Sequence, residues 1–404
     1  MKRLFLASVA LALSPNVASA AADKPGQTFN ITPQSMPAPY ATPAVANTSV
    51  VVPRPAAAVP EAPSGFKVSI FADGLFQPRF MLVAPNGDVF LSQPDAGKVS
   101  LLRQVDGKVS IYTFARGFDG CHGLALHDGA LYVGDRKAVW RLPYKDGALK
   151  ATTRERVTKA PTLGRPGGHF TRDIVFDTKG NLFVAIGSRD NIGEDPPPEA
   201  SVQKVMSDGT LSTFASGTRN PVGIAFYPGT DNLFVTVNER DGFGDDLVPD
   251  YLTHLEQGAF YGWPYAYIGP HPAPDLGSKR PDLVAKSKVP DLLFQSHSAP
   301  LGLIFYEGAQ FPAAYKGDAF VALHGSWNSS KPTGYKVVRV HFASGMPAGG
   351  YENFLTGFWD GQSNPAKVWG RPVGLAVMKD GSLLVSDDAG KLIWRVRYVG
   401  AQSR

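Results

Sequence analysis

Apolar residues recur along this chain as short paired runs separated by polar, glycine-centred turns. Six such pairs stand out: FMLVAPNGDVFL (Phe80 to Leu91), GLALHDGALYV (Gly123 to Val133), DIVFDTKGNLFV (Asp173 to Val184), GIAFYPGTDNLFV (Gly223 to Val235), GLIFYEGAQFPAAYKGDAFV (Gly302 to Val321) and GLAVMKDGSLLV (Gly374 to Val385). Each reads as a β-hairpin closed by an Asn-Gly, Asp-Gly, Lys-Gly or Pro-Gly turn. The last residues of the six units lie 42, 51, 51, 86 and 64 positions apart. One hairpin cannot bury its apolar faces alone, and units repeating at roughly 40–50 residues pack as sheets around a common axis. The pattern predicts an all-β fold, a six-bladed β-propeller of four-stranded antiparallel blades. Closure of the ring falls to GFKVSIFADG (Gly65 to Gly74) and KLIWRVRY (Lys391 to Tyr398), which together complete one sheet.

The first residues break this pattern. Lys2 and Arg3 precede an apolar core from Leu4 to Leu13 and the small-residue site Ala18-Ser19-Ala20, so residues 1–20 read as a secretory signal. The core is too short for a transmembrane helix, which needs ~20 apolar residues. A periplasmic or secreted protein is expected. Residues 21–64 hold nine Pro and ten Ala without apolar periodicity and read as a disordered, solvated linker, either passive or a spacer. The domain then occupies residues 65–400. Removing the signal lowers the formal charge from +5 to +3, which gives no footing for nucleic acid. Cys121 is the single cysteine, so no intrachain disulfide forms and stability rests on the sheet core.

Aligning the first runs of the six units places cations just upstream of five of them: Arg79, His122, His169 with Arg172, Arg219 with Asn220, and Arg371. The fifth unit has His297 slightly further back. In a propeller the innermost strands line the channel, so these positions predict a cationic ring at one mouth. Guanidinium groups bind carboxylates in bidentate fashion, which suits an anionic ligand. Three further segments bear on the same mouth. GGHFTRD (Gly167 to Asp173) offers His169 as a base. SGTRNPVG (Ser216 to Gly223) joins a guanidinium to an amide. NERDGFGDDLVPD (Asn238 to Asp250) is rich in carboxylates and either holds a hard cation or is a solvated loop. GAFYGWPYAY (Gly258 to Tyr267) supplies aromatic surface for a planar group or a plug between blades. The chain has no G-x-G-x-x-G opening a βαβ unit, no P-loop, no G-x-S-x-G and no Cys-x-x-Cys-His.

The blocks GGHFTRDIVFD, SGTRNPVGIAFYPGTDNLFVTVNERDGFGDDLVPDYL, YGWPY, LHGSWNSSKPTGYKVVRV and GRPVGLAV resemble the soluble pyrroloquinoline quinone-dependent sugar dehydrogenases, in particular the L-sorbosone dehydrogenase-like branch. The resemblance spans residues 65–398. It implies a propeller that binds pyrroloquinoline quinone with calcium and oxidises a sugar or aldehyde, passing electrons to an external acceptor that the sequence leaves open. By the same resemblance, His169 is the catalytic base. Arg219 polarises the quinone carbonyl with Asn220 beside it, and Arg371, Arg172, His324 and Lys331 complete the cofactor site. Glu239, Arg240, Asp241 and Gly242 occupy the calcium loop. The chain departs from the family pattern at Val373, where a second arginine is usual in the last blade, at His324, where a Lys or Arg is expected, and in the calcium loop, which reads Glu-Arg-Asp-Gly in place of a Gly-Pro turn. Two other readings remain. A metal-dependent propeller lactonase needs acidic and amide ligands from several blades, where this chain has mostly Arg and His. A non-catalytic carbohydrate- or protein-binding propeller needs neither His169 nor Arg219.

Overall fold

The computed structural model describes residues 23–159, 163–165 and 167–400. The signal segment and its cleavage site lie outside them. Each of the six hairpins becomes the inner half of a four-stranded antiparallel sheet. The inner strands are Met81–Val83, Leu124–His127, Ile174–Phe176, Asn220–Phe226, Pro300–Phe305 and Pro372–Val377. Each packs beside the inner strands of its two neighbours, and the sixth returns to the first. This is the predicted six-bladed propeller. Phe66–Ala72 pairs antiparallel with Leu392–Tyr398 as the outermost strand of the last blade, as the apolar pattern requires.

Glycine sets how closely the blades approach. A Cβ on Gly223 would collide with the carbonyl of Leu301 on the next blade. Gly302 stands in the same relation to Val373, and Gly374 to Arg79. Hydroxyls clasp the same carbonyls: Thr236 Oγ1 donates to Leu301 O at 2.9 Å and Ser386 Oγ to Arg79 O at 2.5 Å. Between the third and fourth blades Asp173 replaces the hydroxyl, accepting from the backbone amides of Ile174 and Ile224. One residue before each glycine, Val222, Leu301 and Val373 meet Phe80 and close the axis with apolar side chains. Val373, the departure noted above, therefore fills the axis and leaves Arg371 as the sole arginine of that strand entrance.

The 86-residue spacing has a local cause. Between Tyr251–His254 and the outer strand Leu292–Leu293, the fourth blade carries the ribbon Ala266–Tyr267 with His271–Pro272 and the helix Pro281–Lys286. Residues 23–64 differ more from expectation. They are a strap laid against the propeller, not a solvated linker. Thr28–Phe29 adds a fifth strand to the fifth blade, with Phe29 stacked on Tyr351 at 5.0 Å. Val50–Val51 pairs parallel with Lys367–Val368, and Glu61 exchanges two backbone bonds with Thr356. Proline removes backbone donors, so the strap is held by scattered bonds and a few apolar anchors such as Ile31, Met36 and Val52. Such spacing leaves no periodic signal.

Replacing Gly302 by Ala tests the blade contact. The opposing atom is backbone and cannot rotate away, so overpacking is expected to cost about 1–3 kcal/mol in denaturant unfolding. An unchanged midpoint would mean that the neighbouring blades tolerate separation there.

Candidate functional site

The loops that enter the inner strands converge at one end of the axis. On the third blade, Gly167 and Gly168 adopt φ of 91° and 64°, and a Cβ on Gly168 would overlap the backbone of Arg189. This turn sets His169 against Ser188. The imidazole Nδ1 lies 2.8 Å from Ser188 O and 3.2 Å from Ser188 Oγ. A carbonyl only accepts, so Nδ1 carries the proton and Nε2 keeps its lone pair. Burial, then the charge of Arg219, pushes the His169 pKa down to about 4. At neutral pH it is an uncharged base. Gly187 makes room for it: a Cβ there would stand 2.6 Å from His169 Cβ and 2.7 Å from Asn220 Oδ1. That amide oxygen is buried without a partner among the described residues.

Arg219 lies at the same entrance, and its donors are engaged. Nε reaches Asn191 O at 3.2 Å, Nη1 reaches Asn238 O and Glu239 O, and Nη2 reaches Asn191 Oδ1 and Asp241 Oδ2. The contacts at 3.3 Å to Asn238 and 3.4 Å to Asp241 are the weak ones, so an incoming oxygen would displace those first. Asn191 uses all its polar side-chain atoms here, accepting from Asp241 N and donating to Asp241 O. Asp241 in turn accepts from Asn328 Nδ2 at 2.6 Å, and Asn328 also reaches His297 Nδ1 at 3.0 Å. Burial opposes ionisation of Asp241, yet His297, Arg219 and Asn328 hold its carboxyl below the usual range.

A second cluster spans the fifth, sixth and first blades. Asp388 accepts from Arg79 Nη1 at 2.7 Å and from His324 Nε2 at 3.0 Å. Burial and then the charge of Arg371 push His324 down to about 4, so a neutral ring donates to an anionic carboxylate. Arg371 gives Nε to His324 O and Nη2 to Gly325 O, both at 3.1 Å. Arg79 Nε and both ring nitrogens of His122 are buried without partners among the described residues, with the His122 ring tilted 44° against Phe80 at 4.1 Å.

Two expected cofactor residues fall elsewhere. Arg172 donates to the carbonyls of Leu163, His169 and Thr171, so it braces the turn that carries His169. Lys331 is exposed on the 326–331 loop, its backbone amide and carbonyl bonded to Ser329 Oγ. The expected calcium loop is also different in kind. Glu239 and Arg240 form a fully buried ion pair at 3.0 Å, and Arg240 donates onward to Pro264 O and Ala266 O. Asp241 is shared as described, and Gly242 offers only backbone. Among the described residues no group of three or more His, Cys, Asp or Glu is placed to hold a metal. Of their carboxylate oxygens only Glu239 Oε1 lacks a partner among the described residues, the others being taken by Arg240, Arg219 and Asn328, so these four residues do not fit calcium.

This architecture has relatives. A family model described as Glucose / Sorbosone dehydrogenase matches residues 77–327. The chain belongs to that family. A model described as TrAA12-like matches residues 278–399. A protein of Borreliella burgdorferi described as uncharacterized is 30% identical over 351 residues, covering 83% of this chain and 90% of that one. A pyrroloquinoline quinone-dependent pyranose dehydrogenase of Coprinopsis cinerea is 26% identical over 83% of this chain, which spans about half (54%) of that relative's length. The holo form of the pyranose dehydrogenase PQQ domain from Coprinopsis cinerea superposes with a TM-score of 0.71 at 21% identity, covering 87% of this chain and 99% of that one. A calcium structure of a Trichoderma reesei family AA12 protein gives 0.68 at 22% identity, covering 84% and 97%. At these identities the superpositions show a shared fold.

The site of this family member includes residues that alignment of the first runs missed. Ser188, Glu239, His324 and Asp388 all follow the second run of their hairpins by three or four positions, after Val184, Val235, Val321 and Val385. Aligning the second runs would have found them.

Gly187→Ala should displace His169 and Asn220 while sparing the sheet beneath. The check is ring Cε1 chemical shift against pH, assigned by difference with His169→Gln. In the wild type His169 should stay neutral until about pH 4, and in Gly187→Ala its titration should move toward the free value of ~6.5. Identical curves would mean that Gly187 does not set the environment of His169.

Proposed function

We propose that this glucose/sorbosone dehydrogenase family member is an exported quinoprotein that oxidises a sugar or sugar-derived aldehyde, of aldose or sorbosone type, by hydride transfer to pyrroloquinoline quinone. The observation that carries the proposal is the neutral His169, whose Nε2 makes no bond among the described residues, at the same channel mouth where Arg79 and Arg371 keep unsatisfied donors. The donor set fits a planar tricarboxylate. Arg371 has no bond from Nη1 among the described residues, Arg79 has a bare Nε, and Asn220 has a free amide oxygen. Charged hydrogen bonds to carboxylates would satisfy the two guanidinium groups, whereas the Asn220 oxygen accepts and would take a hydroxyl donor.

When bound, the quinone accepts the hydride that leaves the substrate carbon. This chain's residues do the rest. His169 Nε2 takes the hydroxyl proton as the carbon–oxygen double bond forms, while Ser188 O holds the opposite nitrogen protonated and the ring in place. Arg371 and Arg79 orient the cofactor from the sixth and first blades. Arg219 exchanges its long contact to Asp241 for the reacting oxygen, with Asn220 beside it. Calcium has no part in these steps. Export rests on the segment 1–20, and no helix among the described residues is long and apolar enough to cross a membrane.

The test is reconstitution of purified protein with pyrroloquinoline quinone, followed by dye reduction with a panel of aldoses and aldehydes. His169→Ala should bind the quinone as the wild type does, while turnover falls by ~10²–10⁴-fold. Absence of quinone binding and dye reduction in the wild type would instead favour the binding-propeller reading.

Arg371→Ala should weaken quinone binding about ten- to a hundredfold, the effect of one charged hydrogen bond worth ~1.5–3 kcal/mol. Calorimetric titration reads this directly, and equal affinities would remove Arg371 from the site.

The pH profile carries its own sign. Because the His169 pKa is lowered to about 4, its base form persists well below neutrality. The limb of kcat/KM due to this base should therefore fall near pH 4, with no loss between pH 7 and pH 5. A limb near 6.5 would mean that another histidine is the base.

A further inference from the structure

We propose that Thr42 and Asn47, on the strap, are positioning residues that hold the two loops joined by Asp241 and Asn328. The fourth blade contributes the loop around residues 240–245 and the fifth blade the loop around 326–330. Their tips meet through Asn328 Nδ2 and Asp241 Oδ1 at 2.6 Å, and Ser330 N donates to Asp245 Oδ1 at 2.8 Å. Asp241 N and Arg219 Nη2 share Asn191 Oδ1 at 2.9 and 2.8 Å, so a displacement of the 240–245 loop reaches the Arg219 guanidinium through Asn191.

The strap crosses both loops within two residues of the paired tips. Tyr40 N donates to Phe243 O at 2.8 Å, and the Tyr40 ring meets the Phe243 ring edge-on at 5.6 Å. Thr42 Oγ1 accepts from Asp245 N at 2.8 Å. Five residues on, Asn47 N donates to Trp327 O at 2.6 Å, and Asn47 Nδ2 donates to Ser329 O at 2.8 Å and Asn364 Oδ1 at 2.7 Å. One short segment thus binds the residues flanking Asp241 and those on either side of Asn328.

The loop is shaped to receive it. Gly244 has φ of 116°, and a Cβ there would lie 2.8 Å from Thr42 Oγ1. Other strap anchors, at Thr28–Phe29, Ile31, Val50–Val51 and Glu61, bind the outer strands of the fifth and fourth blades and the segment leading into the sixth blade. Those anchors attach the strap. Thr42 and Asn47 use it to span the mouth. Neither family model reaches the strap, since their matches begin at residues 77 and 278.

The test compares wild type with Thr42→Val, Asn47→Ala and the double variant, with Asp23→Asn as a control on the far part of the strap, where Asp23 pairs with Lys336. The first readout is amide hydrogen exchange without cofactor. Peptides covering 240–246 and 326–331 should exchange about tenfold faster in the double variant, while the inner strands Pro300–Phe305 and Pro372–Val377 keep wild-type rates. The control should leave the mouth unchanged. The second readout rests on the quinone reading: affinity for pyrroloquinoline quinone should fall about tenfold at unchanged Tm, as displaced site groups lose ligand contacts. Unaltered exchange in both loops, or acceleration spread evenly over the propeller, would overturn the proposal. If wild type binds no quinone, the cofactor reading fails and the exchange data alone still decide the role of the strap.

Discussion

The structure depends on how near one inner strand can come to the next. At Gly223, Gly302 and Gly374 the missing side chain admits the carbonyl of the following blade, and a Thr or Ser hydroxyl bonds that same carbonyl at two of the three seams. This contact sets the radius of the axis. At that radius, Val222, Leu301, Val373 and Phe80 pack against one another on the axis. Polar groups are then confined to the end where the entering loops converge. A wider ring would carry the same cations too far apart to act on one small molecule.

The confinement has an electrostatic cost that the site meets in two ways. Arg79 and His324 share the anionic Asp388, and Arg219 is divided among carbonyls, Asn191 and Asp241. Histidine is handled by neutrality instead, since burial and adjacent guanidinium groups keep His169 and His324 uncharged near pH 7. Charge and basicity thus occupy the same few ångströms without cancelling: the arginines remain cations, and the imidazole keeps its lone pair.

The period-2 runs and their glycine turns made the blades, their number and the closing strands legible, because each run must bury one face. The entrance residues were legible for a similar reason, since equivalent positions of a repeat share a radius. What a side chain does once there was not. Arg172 and Arg219 look alike in the aligned units, yet one braces a turn and the other ties two loops, and only the carbonyls around them decide this. Arg240, grouped by sequence with the carboxylates of the expected calcium loop, is instead buried in a pair with Glu239. The strap was misjudged because proline-rich chain docks through irregular backbone bonds, which leave no periodicity to detect.

The ring is closed by Phe66–Ala72 lying on Leu392–Tyr398, two strands more than three hundred residues apart in the chain. Every other blade is completed mainly by neighbours in sequence, so this seam closes the longest loop among the blades and carries the largest loop-closure entropy. The seam belongs to the sixth blade, and the clusters of Arg371, Asp388 and Arg79 lie where that blade meets the first. An anion held by both arginines would bind the beginning and end of the domain to each other. Occupancy of the mouth is thereby coupled to the integrity of the circle, so the same contact that seats a ligand also opposes the opening of the chain at its closing seam.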